Sequence, residues 1–102
     1  MEIRNFDSSI ESFIGSLEKR TIAKVLHTIN LLEEFGRKLG MPHSKRVQDN
    51  LFELRVRGAQ EIRIFYCFYK SYVVLLHGFI KKSQRIPKKE IRVAIARLRS
   101  LD

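Results

Sequence analysis

Three runs between Leu51 and Ile80 constrain this chain more than any other feature. Phe52, Leu54 and Val56 alternate with Glu53, Arg55 and Arg57, the period-two pattern of a half-buried strand. Ile62–Tyr69 follows, with Ile62, Ile64, Tyr66 and Phe68 on one side and Arg63, Phe65, Cys67 and Tyr69 on the other. Tyr72–Ile80 is apolar on both sides, as a central, covered strand would be, and its β-branched and aromatic content argues against a helix. Gly58-Ala59-Gln60 and Lys70-Ser71 supply the turns. Joins this short imply an antiparallel meander.

The remaining chain reads as helix and loop. Residues 1–6 are either a short edge strand or a lead-in. Asp7 or Ser8 opens a helix, with Ser8 and Glu11 at capping-box spacing and Ile10, Phe13, Ile14 and Leu17 on one face. A second amphipathic helix starts around Glu18–Arg20. Its stripe is Ile22, Val25, Leu26, Ile29 and Leu32, and Gly36 stands where a helix C-terminus favours glycine. The expected arrangement is a helical hairpin whose shared apolar side covers the sheet. Arg37–Asn50, holding Gly40 and Pro42, reads as loop. After the basic run Lys81–Arg85, Pro87 suits the start of a last helix with Ile91, Ala94, Ile95 and Leu98 inward. The expected class is α+β in one domain, residues 1–102, in the order α-α-β-β-β-α, with helices packed on a small antiparallel sheet.

Charge is where this chain departs from an average domain. The formal net charge is +9, and residues 35–102 hold sixteen of the twenty Lys/Arg but five of the eleven Asp/Glu. The surplus sits with the strands and favours a polyanion, or a partner with an acidic segment. The single cysteine, Cys67, excludes an intrachain disulfide and fits a reducing compartment. No apolar run approaches the roughly 20 residues of a membrane span, and no signal-peptide core precedes the first helix. A soluble cytoplasmic protein with no membrane partner is expected.

Other chemistries find little support. His27, His43 and His77 are scattered, and one cysteine gives no zinc spacing, so no metal is expected. The glycines are isolated, which leaves no phosphate-cradling loop and no nucleotide cofactor. What remains is a cationic sheet. Arg55 and Arg57 share a face of one strand, Arg63 starts the next, and Lys81 and Lys82 leave the third. Pairing would bring them to one end of the sheet. Cleaving RNA through its own 2′-hydroxyl needs a base, cations for the phosphorane-like transition state, and an acid for the leaving oxygen. Arginine suits the second task and is a poor base. Lys81 or Lys82, Glu53, His77 and Tyr66 are the candidates for proton transfer, and Phe65, Phe79 or Tyr69 for stacking a base.

Beyond this pattern, LFELRVR, IRIFYCFY and HGFIKKSQRIPKKEI, with the preceding INLLEEFG and MPHSKRVQDN, resemble the RelE/HigB-like toxins of bacterial type II toxin–antitoxin systems, in particular their phage-associated branch. The likeness runs from about Ser8 to Ser100. It implies a RelE-like fold and an mRNA interferase, an endoribonuclease that acts without metal, commonly on the ribosome. It implies catalytic roles for Arg55, Arg63, Lys81 and Lys82, with Arg57 a neighbouring cation of the same motif. Together with the cations and Gln84 that follow the third strand, the expected RNA contacts are Arg57, Gln84, Arg85, Lys88 and Lys89. Glu53 stands where better-studied relatives carry a second strand lysine. The partners implied are mRNA and a cognate antitoxin, usually a helix-turn-helix protein. A ParE-like gyrase inhibitor of the same fold and an inactive RNA-binding relative are the alternatives. On this reading Arg63→Ala abolishes toxicity and spares the fold.

Overall fold

The computed structural model describes Met1–Leu101. Its centre is a five-stranded mixed sheet in the order β1-β5-β4-β3-β2, built from β1 (Glu2–Asn5), β2 (Ser44–Gln48), β3 (Leu51–Val56), β4 (Ile62–Tyr69) and β5 (Tyr72–Ile80). Strands β2 to β5 pair antiparallel, while β1 runs parallel to β5. The helices are α1 (Ser8–Gly15), α2 (Lys19–Phe35) and α3 (Lys88–Arg99).

The meander forms as its alternation requires, and both later runs keep the limits read from the sequence. Side chains alternate across β4. Ile62, Ile64, Tyr66 and Phe68 join a core beneath α1 and α2, whereas Phe65 and Cys67 join one beneath α3. Covering both faces explains why β5 carries apolar residues on both sides. A bulge between Phe65 and Tyr66 shifts the register against β5.

Four expectations need correction. The sheet is mixed, because residues 2–5 pair with Tyr72–Leu75. The supposed loop 37–50 contains a 3₁₀ turn, Gly36–Lys38, and the edge strand β2. That strand, SKRVQ, buries only Ser44, so it shows no apolar alternation to read. The order is therefore β-α-α-β-β-β-β-α. Nor do the first helices form a hairpin: α1 lies over β5 and α2 over β3, and each spends its apolar stripe on the sheet. Finally, no capping box closes at Ser8. Asp7 is the N-cap and accepts from the Ser9 amide at 2.9 Å, while Glu11 accepts from Asn5 Nδ2 at 3.3 Å.

Helix α3 is tied down over the second face. Tyr69 Oη donates to the Leu101 carbonyl at 2.7 Å, and Arg97 Nη1 donates to the Leu76 carbonyl at 2.7 Å. On the first face Gly78 leaves room for Phe13, since a Cβ there would come within 2.6 Å of the ring. Gly78→Ala should cost about 1–3 kcal/mol by overpacking, and Phe13→Leu should recover part of it in urea denaturation.

Burial pushes the Cys67 thiol up from its ordinary 9.0 to about 11, and burial also raises the Tyr66 hydroxyl. A raised value means the folded state holds the proton more tightly than the unfolded chain does. This contribution to stability is complete below pH 9.0 and is lost as pH rises through about 11. Urea stability should fall across that window, and at pH 8 a thiol reagent should modify Cys67 only as the protein unfolds.

Candidate nucleic-acid interface

The α3-facing side of β3, β4 and β5 carries two rows of side chains. Glu53, Phe65 and His77 lie across from one another, and beside them Arg55, Arg63 and Phe79. A charged residue is therefore folded in among aromatic ones. Phe65 and Phe79 pack at 5.6 Å, and the His77 ring stacks on Phe79 at 6.3 Å. Both phenylalanines are buried in the core, which removes them as platforms for a base. Tyr69 is half-buried, its ring edge-on to Tyr72 and its hydroxyl spent on Leu101.

Arg63 is 1% exposed and Glu53 5%, so the centre of the site is a buried charge cluster. Arg55 Nε lies 3.6 Å from Glu53 Oε1, and Arg63 Nε lies 4.0 Å from Glu53 Oε2. These are Coulombic neighbours without a hydrogen bond: Glu53 Oε2, Arg55 Nε and Arg63 Nε are buried with no partner. Arg63 Nη1 does find partners, donating to Glu61 Oε2 at 3.0 Å and to the Ile62 carbonyl at 3.2 Å. Alternation along the strands brought these residues to one face. That Glu53 and Arg63 would be buried there is a tertiary fact the alternation does not carry.

Arg63 opens onto a mostly polar cleft of about 540 Å³, lined also by Arg57, Glu61, Lys81, Lys82, Ser83 and Gln84. The pairing places Lys81 beside Glu61, the Lys81 amide donating to the Glu61 carbonyl at 2.7 Å. Of the residues singled out from sequence, Arg57, Arg63, Lys81, Lys82 and Gln84 are thus brought together. Arg55 stands next to them through Glu53, and its Nη1 faces Met41 Sδ at 3.4 Å. Arg85, Lys88 and Lys89 are exposed but do not line the cleft.

Among the proton-transfer candidates, Tyr66 lies on the opposite face, 1% exposed and hydrogen-bonded to Ser44 Oγ. It belongs to the α2-side core. His77 is on the cleft's face of the sheet and is held by Glu90, at the first turn of α3, with Nε2 and Oε1 3.0 Å apart. Glu61, Ser83 and Glu90 were missed in the sequence reading. Only Glu61 left a signal, because pairing the second and third runs sets it opposite Lys81.

A second opening, of about 420 Å³, lies between α2 and the end of β3. It is mostly apolar, and Arg55, Val56 and Arg57 form its strand side. Arg57 lines both openings.

The pattern of the family described as phage-derived protein Gp49-like (DUF891) matches residues 12–99. The chain belongs to this family. Gp49-like proteins are associated with the toxins of toxin–antitoxin systems. No curated protein matches the chain significantly. The Gp49-like match takes in α2, all of β2 to β5 and the whole cleft, so the residues described above lie inside the shared region. Among the described residues no helix is long and apolar enough to cross a membrane.

Proposed function

We propose that this Gp49-like protein is the toxin of a toxin–antitoxin pair and an mRNA interferase that cuts messages being translated on the ribosome. The observation that carries this reading is the Arg63 guanidinium, buried at the floor of a cleft that also offers Arg57, Lys81 and Lys82. Four cations around one opening match a phosphodiester better than a neutral substrate.

In the proposed reaction the ribose 2′-oxygen attacks the adjacent phosphorus and gives its proton to a base. The bond from phosphorus to the 5′-oxygen breaks, and an acid protonates that oxygen. The products are a 2′,3′-cyclic phosphate and a 5′-hydroxyl. Arg63 and the lysine pair offset charge on the phosphorane, with Arg57 guiding the backbone at the rim. Arg55 acts through Glu53, holding that carboxylate and hence Arg63 in place. Arginine stays protonated, so proton transfer falls to Lys81, Lys82 or His77 on this side of the sheet. The natural inhibitor is an antitoxin.

The termini report the chemistry. After a short pulse of expression, new 5′ ends should accept label from polynucleotide kinase without prior phosphatase treatment. New ends carrying 5′-phosphate would contradict attack by the 2′-hydroxyl.

A further inference from the structure

The two openings differ in chemistry although they share Arg57. The cleft is mostly polar and holds Glu61 among its cations. The α2–β3 groove is mostly apolar, its lining including Ala23, Pro42 and the buried Thr28 and Val56, and no acidic residue lines it. Its lining is cationic as well: Lys24 comes from α2, Arg55 from the end of β3 and Arg57 from just beyond it. Lys24 reaches towards the turn after β3, its Nζ 2.7 Å from where a Cβ on Gly58 would be. Met41, 63% exposed, adds an apolar side chain next to the groove's Pro42.

A mostly apolar lining that also carries cations matches an amphipathic peptide with acidic flanks. A phosphodiester backbone would meet the cations but leave its sugar-phosphate face against an apolar lining it does not need. We propose that the α2–β3 groove docks an acidic amphipathic segment of a partner protein, and that the docked carboxylates draw Arg57 away from the cleft. The second half rests on the RNA-cleaving reading, whereas the first does not. Inhibition of this kind leaves the cleft itself unoccupied. Arg57 is exposed and just beyond the end of β3, so it can turn to either side.

Amide chemical-shift mapping on the full chain tests both halves, with two probes. One is a short synthetic peptide repeating Leu-Glu-Glu-Leu, beside the same repeat with lysine for glutamate; the other is an oligouridylate. The acidic peptide should shift Ala23, Lys24, His27 and Thr28, and the lysine peptide should not. Lys24→Glu with His27→Glu should weaken the acidic peptide about tenfold. Ala23→Trp, which adds bulk to the lining without altering charge, should weaken it as well. All three positions are exposed, and the same spectra report whether each variant is folded. The oligouridylate should instead shift Lys81–Gln84 and keep its affinity in these variants. No shift on α2 with the acidic peptide at millimolar concentration would overturn the docking site, as would oligouridylate seated there. Peptide and oligouridylate binding independently would overturn the coupling through Arg57. An oligouridylate that binds nowhere while the peptide docks would count against the RNA reading and leave the groove standing.

Discussion

Arg63→Lys is expected to lower message cleavage by about a hundred- to a thousandfold while leaving the protein folded. Lysine keeps the positive charge, so Glu53 and Glu61 stay compensated, but it loses the planar fork that grips two phosphate oxygens at once. Cleavage rates measured alongside circular dichroism and urea denaturation would check both parts. A folded Arg63→Lys protein cutting at the wild-type rate would remove Arg63 from the chemistry. Burial changes what alanine would do here. Expected from sequence to spare the fold, Arg63→Ala instead takes the nearest cation but one from a carboxylate that is 5% exposed, so lost toxicity and lost stability would arrive together.

The converse deletion should act on stability first. Glu53→Ala leaves the buried Arg63 and the half-buried Arg55 without the carboxylate between them, at an expected cost of about 3–5 kcal/mol. Against a typical total of about 5–15 kcal/mol, that is enough to unfold a marginal domain. Glu61 partly offsets the loss at Arg63, but its side chain is 38% exposed and screened. Glu53→Leu with Arg63→Leu removes both charges and should recover most of the stability with no cleavage. Urea midpoints for the single and double variants decide the matter. A Glu53→Ala protein within 1 kcal/mol of wild type would mean that the cluster is not coupled as its distances imply (threshold on the order of the surface ion-pair range).

How far the sequence reached follows from how each element is buried. Strands β4 and β5 kept the limits read from them because covered strands carry a continuous or strictly alternating apolar signal. Edge strands lack that signal. Strand β2 buries one residue and β1 none, so their backbone pairing leaves almost no mark on composition. The stripes of α1 and α2 were legible, but not whether each faced its neighbour or the sheet. The same limit holds at the site. Period two set Arg55 and Arg63 on one face, and the tight turns brought Lys81 to Glu61. Burial of Glu53, the holding of His77 by Glu90, and the α2–β3 groove all depend on where helices dock.

Mapping 5′ ends on cellular mRNA after brief induction tests the central claim most directly, with folded Arg63→Lys as the control. The RNA-cleaving account predicts discrete new ends within translated regions, present with wild type and missing with the variant. Growth arrest with intact transcripts would contradict it and turn attention to a target other than RNA.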